Sequence, residues 1–173
     1  MSDGSLYTWG SGKSLGLKRD TIAWEPECVP MKHKALSVSC GTKHMAVIIA
    51  DQYSKRKVMT CGENESGQLG LGHYDAVSKL KTVKTKEDIK TVSCGVFHTA
   101  IVAITGKVYS MGSNNYGQLG IGTNKGSASP VHVSHLDNYF IKKVACGSYS
   151  TALSDHGDVF VWGTGAFGEF LSP

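Results

Sequence analysis

A chain of 173 residues, 40% hydrophobic and 18% charged, is long enough to bury a core and too apolar to remain disordered. Its formal net charge of +4 is mild, which argues against the dense Lys/Arg stripes of a dedicated nucleic-acid binder. With 21 glycines, 4 prolines and short bursts of Val, Ile, Tyr and Thr, the composition points to many short strands joined by tight turns.

The N-terminal residues show no basic patch followed by an apolar run, so no secretory signal is expected. The first predicted strand, Tyr7-Thr8-Trp9-Gly10, ends on a glycine, and a turn fragment, Ser14-Leu15-Gly16-Leu17, follows. A second element, Val38-Ser39-Cys40-Gly41, leads through His44 into the longest purely apolar run, from Met45 to Ala50, which is far too short to span a bilayer. Met59-Thr60-Cys61-Gly62 is again a glycine-ended strand, followed by the turn Ser66-Gly67-Gln68-Leu69-Gly70-Leu71-Gly72. From Lys79 to Lys86 lysines alternate with apolar or Thr residues, as in an edge strand that keeps one face wet and resists edge pairing. Beyond Val92-Ser93-Cys94-Gly95, the segment Thr99-Ala100-Ile101-Val102 faces Lys107-Val108-Tyr109-Ser110 across Thr105-Gly106, a β-hairpin pattern. Gly112, the turn from Tyr116 to Gly122, Val144-Ala145-Cys146-Gly147, the connection Asp155-His156-Gly157 and Phe160-Val161-Trp162-Gly163 repeat the series.

Two independent markers, the glycine-ended strand and the Cys-Gly element, therefore share one period of about fifty residues. Units of this size cannot bury an apolar face alone and must stack on their neighbours. The turn glycines exclude helical repeats, and several short strands per unit fit a propeller blade better than a sandwich. The repeats run approximately over 5–56, 57–106 and 107–157, with a partial unit at 158–173, in a single repeat domain spanning 1–173.

The stretch from Gly106 to Gly122, GKVYSMGSNNYGQLGIG, and Val92 to Ala100, VSCGVFHTA, resemble the regulator of chromosome condensation repeat. The resemblance covers essentially the whole chain. It implies a seven-bladed β-propeller, used by different members as an exchange factor for the small GTPase Ran, as a chromatin or ubiquitin-ligase module, and as a docking domain on kinases and ciliary proteins. The expected fold is thus all-β, a partial ring of about half the blades. An open ring exposes strand edges, so missing blades of a longer protein or a second chain are expected to complete it. Fold by itself does not settle function.

Most chemistry-bearing residues have structural readings. His44 and His98 stand three residues after their glycines, where the third repeat has Ser150; a repeat-built metal site would need a ligand in every copy, so hydrogen-bonded structural histidines are expected and no metal. Cys40, Cys94 and Cys146 are expected to be buried inert thiols, and Cys61 core filler; intracellular cysteines would stay reduced. Gly163-Thr164-Gly165-Ala166-Phe167-Gly168 matches a dinucleotide fingerprint, but no helix follows and it sits in register with the repeat turns, so no cofactor is expected. Asn64-Glu65-Ser66, a formal glycosylation sequon, is the same repeat turn.

One feature breaks the repeat. The hairpin from Ala46 to Val58 exceeds its counterparts, Ala100 to Val108 and Ala152 to Val159, by four or five residues. Its tip, residues 51–57, carries an aromatic and three consecutive cations that packing does not demand, making Tyr53, Lys55, Arg56 and Lys57 the candidate protein-binding residues. The expected function is a protein-interaction scaffold with no catalytic residues, not an enzyme, whose partner is another protein. The alternative implied by the resemblance is guanine-nucleotide exchange on a Ran-like small GTPase, a role that relies on a wedge-like hairpin and acidic loops; the basic tip weighs against it. Membrane association is not expected and nucleic acid is disfavoured by the modest charge. The expected location is cytoplasmic, with nuclear, cytoskeletal and ciliary sites known among members of the resembled family.

Overall fold

The computed structural model describes residues 3–164. Most of the glycine-rich Gly163 to Gly168 match, and the segment from Phe170 to Pro173, lie outside the described residues. Thirteen strands account for nearly all regular structure: β1 (Tyr7–Ser11), β2 (Ile22–Cys28), β3 (Ala35–Cys40), β4 (His44–Ala50), β5 (Arg56–Gly62), β6 (Val77–Thr82), β7 (Ile89–Cys94), β8 (His98–Ala103), β9 (Val108–Gly112), β10 (Ser127–His132), β11 (Ile141–Cys146), β12 (Tyr149–Ser154) and β13 (Val159–Gly163). They form four antiparallel sheets, β1-β2, β3-β4-β5-β6, β7-β8-β9-β10 and β11-β12-β13. The inner strands β3, β7 and β11 neighbour one another in turn, the arrangement of blades in an open part of a β-propeller, as expected.

The apolar run at 45–50 shows why the sheets stack. In β4, Met45, Val47 and Ile49 enter a core shared with Ala23 of the preceding sheet and with Leu6 and Leu15 of the segments flanking its first strand, while Ala46 and Ile48 enter a core shared with Val92, Ile101 and Met111 of the following one. A strand buried on both faces reads as continuously hydrophobic rather than alternating. β8 repeats this, with Ile101 facing back and Ala100 and Val102 facing forward. Each core therefore belongs to a pair of sheets, and no sheet has one of its own.

The repeat period of the sequence and the sheets are out of phase. The glycine-ended strands β5 and β9 stand third in their sheets, so a unit that begins on such a strand supplies the outer strands of one sheet and the inner strands of the next. The glycine itself is required by a close approach: Gly62 has φ 120°, and a Cβ there would lie 2.6 Å from the Cα of His44 on the adjoining strand. The lysine-rich segment is an edge strand only in its first half: β6 is the outer strand of its sheet, with Leu80 buried and Lys79 and Lys81 exposed, and it ends at Thr82, so Lys84 and Lys86 lie beyond it.

Candidate protein-binding face

The enlarged hairpin is divided differently from the expectation. Arg56 and Lys57 are not part of the tip but open β5, paired with Ala50 and Ile49, and the loop proper is residues 51–55. Its shape is set by Asp51, whose Oδ1 accepts hydrogen bonds from the backbone N–H of Tyr53 at 2.8 Å and of Lys55 at 2.9 Å. The Asp51 N–H in turn donates to the Lys55 carbonyl at 2.8 Å, and Ser54 takes a left-handed φ of 61° to close the turn. Tyr53 emerges from this frame 75% exposed, with Lys55 and Arg56 also exposed and Lys57 half-buried.

Tertiary contacts add residues that sequence reasoning missed. The Arg56 N–H donates to Asp88 Oδ1 at 2.9 Å, and Lys57 Nζ reaches the Thr85 carbonyl at 3.4 Å, so the β6–β7 connection at residues 83–88 lies against the hairpin. Ile104, 49% exposed, joins through its N–H to the Asp88 carbonyl at 2.8 Å. Lys84 and Lys86, which read as a continuation of the edge strand, are exposed in this connection because β6 ends at Thr82. No local signal in the sequence pairs 53–57 with 84–88. The acids are occupied: beside Asp51 and Asp88, Glu87 Oε1 accepts the Tyr109 hydroxyl at 2.9 Å, and burial together with that carboxylate pushes the Tyr109 phenol up to about 12.

The scaffold behind this face is stapled by a repeated relay. His44 Nε2 and Thr99 Oγ1 are 2.8 Å apart across two sheets, and the Thr99 hydroxyl donates to the Gln68 carbonyl at 2.8 Å. His98 Nε2 meets Ser150 Oγ at 2.8 Å in the next pair, and that hydroxyl donates to the Gln118 carbonyl at 2.7 Å. Burial holds both imidazoles down at about 4. The two histidines are therefore structural side chains with engaged Nε2 atoms, and no group of three metal-ligating side chains converges among the described residues. One equivalence requires correction: Ser150 does not occupy the histidine position. Tyr149 pairs with Gly163 as His44 pairs with Gly62 and His98 with Gly112, because the third turn is one residue shorter, so Ser150 corresponds to Thr99.

The cysteine expectation also needs correction at two positions. Burial pushes the Cys61, Cys94 and Cys146 thiols up to about 12, 12 and 11, but Cys146 is only half-buried and Cys40 is exposed. Cys94 packs among Ala46 and Ile48 of the preceding sheet's second strand, and Cys146 lies beside Ala100 and Val102 in the same way. The sheet preceding Cys40 consists of β1 and β2 only, so no such strand covers it among the described residues. Asn64 is fully buried with its amide donating to the carbonyls of His73 and Asp75, which leaves no sequon nitrogen free.

Comparison with known proteins places these observations. A family profile described as "Regulator of chromosome condensation (RCC1) repeat" matches residues 3–48, 57–102 and 105–154. The chain is 35% identical over 175 residues to the ultraviolet-B receptor UVR8 of Arabidopsis thaliana, covering 96% of this chain and 39% of that protein. It is 34% identical over 170 residues to the X-linked retinitis pigmentosa GTPase regulator of Homo sapiens, covering 96% of this chain and 16% of that protein. Among solved structures, human WBSCR16 superposes with a TM-score of 0.80 at 26% identity over 92% of this chain and 43% of its own. Yeast RCC1 (Prp20), in its complex with Kap60, superposes with a TM-score of 0.76 at 22% identity over 94% of this chain and 40% of its own. The chain thus spans less than half the length of each of these proteins.

Proposed function

Because the chain belongs to the regulator of chromosome condensation repeat family, we propose that it is a protein-interaction scaffold without catalytic chemistry of its own, and that the β4–β5 hairpin is its principal contact element. The observation that carries this reading is the loop at 51–55: preformed by Asp51, it presents an exposed Tyr53 from a hairpin anchored to two sheets. A rigid aromatic on a preorganised loop loses little conformational entropy on binding, which is what a recognition anchor requires. The test replaces residues 51–55 by the short turn of the next hairpin, and separately places a photocrosslinking residue at Tyr53. The expected result is an unchanged melting temperature, loss of bound protein with the shortened loop, and crosslinks from position 53. Undiminished partner retention by the shortened variant, with no crosslink from position 53, overturns the reading.

The chain also needs neighbours. Two of its sheets have four strands, whereas the first has two and the last described sheet has three. We propose that further repeats of the same polypeptide or a second chain supply the remaining strands. Exchange on a small GTPase is the second reading, favoured by the name of the human relative, a GTPase regulator. Release of labelled GDP from a Ran-like GTPase, accelerated by this chain, would support it over pure scaffolding.

A further inference from the structure

The face around the hairpin carries an unneutralised positive charge whose origin is specific. Lys55, Arg56, Lys57, Lys84 and Lys86 come from two segments joined by the Arg56–Asp88 and Lys57–Thr85 hydrogen bonds. The described ion pairs lie elsewhere: Lys13 with Glu63, Arg19 with Glu27, and three histidine–aspartate pairs, so none of these five cations is matched to a carboxylate among the described residues. Acids are nevertheless present in the same segments. Asp51 and Asp88 accept backbone N–H groups and Glu87 takes the Tyr109 hydroxyl, so the carboxylates shape the loops, while Lys55, Arg56, Lys84 and Lys86 are exposed and Lys57 is half-buried on the Thr85 carbonyl. Beside the cations stand two exposed apolar side chains, Tyr53 and Ile104.

We propose that this face docks an acidic protein segment with an apolar side chain at its centre, Tyr53 and Ile104 holding the apolar group and Lys55, Arg56, Lys84 and Lys86 pairing with flanking carboxylates. The inference rests on the scaffold reading above and names the partner's chemistry. Cations without internal partners have no pair to break before binding, so a complementary chain gains the attraction without that loss. A protein segment fits better than nucleic acid for two reasons. The net charge of +4 is too small to hold a polyanion by its field alone. Tyr53 is the single aromatic within residues 51–57 and 83–88, and one ring offers no series of stacking platforms for successive bases.

The experiment measures fluorescence anisotropy of the full chain with two labelled probes of equal charge: a Glu/Asp-rich peptide with a central Leu-Phe pair, and a single-stranded oligonucleotide. The peptide is expected to bind, and the pair of reversals Lys55→Glu and Lys84→Glu to weaken it by at least about tenfold. Tyr53→Ala is expected to weaken the peptide severalfold at a salt concentration that suppresses the charge contribution, while Lys125→Glu, distant from the hairpin in sequence and in the following turn, changes nothing. Absence of peptide binding, equal or tighter binding of the oligonucleotide, or an equal loss with Lys125→Glu overturns the proposal. If the peptide fails while position 53 still crosslinks a partner, the acidic class falls and the scaffold reading stands; if both fail, both fall.

Discussion

Thr99 has one hydroxyl proton, and its destination decides the state of its neighbour. The proton is given to the Gln68 carbonyl, so His44 must donate from Nε2, which fixes the neutral tautomer with a bare Nδ1. That Nδ1 has no hydrogen-bond partner, and burial penalises a second proton on the ring more than the nearby His98 backbone favours it. The unfolded chain takes up protons on these histidines as pH falls through 6.5, whereas the folded chain holds both near 4. The unfolded state then binds more protons, so the stability they contribute is complete above pH 6.5 and is lost between 6.5 and 4. By pH 5 the loss is about 2 kcal/mol per histidine. Urea unfolding at pH 7.5 and pH 5 is expected to show a clear fall in midpoint, and a double His44→Asn, His98→Asn variant a flatter profile; equal slopes would exclude the histidines as the cause. Thr99→Val keeps the volume and strands both His44 Nε2 and the Gln68 carbonyl, for an expected cost of about 2–4 kcal/mol by the same measurement. Thiol labelling under native conditions is expected at the exposed Cys28 and Cys40, more slowly at the half-buried Cys146, and at Cys61 and Cys94 only on unfolding; prompt labelling of Cys94 would contradict its burial.

At the scale of the element, the loops after β5 and β9 are the units of cohesion. Asn64 donates to the carbonyls of His73 and Asp75 and accepts the Leu69 N–H at 2.9 Å, and Asn114 does the same with Thr123, Lys125 and Leu119. The loop so held crosses to the next sheet: Gly72 donates its N–H to the Ala128 carbonyl at 2.8 Å, and Gly70, at φ 67°, lies against Met111. Asn64→Ala is expected to cost about 2–4 kcal/mol. Hydrogen exchange should show lost protection both in residues 64–76 and in β10 of the next sheet. Loss confined to 64–76 would show that the loop shapes itself without joining the sheets. The hairpin loop at 51–55 obeys the same logic through a different side chain, since Asp51→Ala frees two N–H groups and should lower crosslinking from Tyr53 more than it lowers the melting temperature.

For the whole molecule, stability resides between sheets, so a sheet with an uncovered side is incomplete. Trp24 is 89% exposed and Trp9 64% exposed on β1 and β2, and β1 has β2 as its single strand neighbour among the described residues. Such a surface is expected to associate. Light scattering of this 18.5 kDa chain should show a folded species of twice the chain mass that dissociates on dilution. A folded monomer at all concentrations would show that these edges tolerate water, and would direct attention to longer polypeptides that contain further repeats.

The sequence by itself determined the period, the glycine-ended and Cys-Gly strands, their hairpins and the odd hairpin, because each depends on local conformational preference and on alternation along one strand; β2 and β10 carried no such signal. It also identified His44 and His98 as structural, since a ligand set could not repeat. Only the tertiary structure decided that Lys84 and Lys86 stand beside Arg56 and Lys57, that Arg56 belongs to a strand and not to the tip, that Tyr149 fills the histidine position, and that Cys40 is uncovered where Cys94 is buried. Arg56 and Tyr149 are placed by strand register within their own sheets, and the lysines and Cys40 by what the neighbouring segments bring against them. Here the cores and the hydroxyl relays lie between sheets, so the facts that shape this face are properties of pairs of repeats, and a single repeat read alone does not contain them.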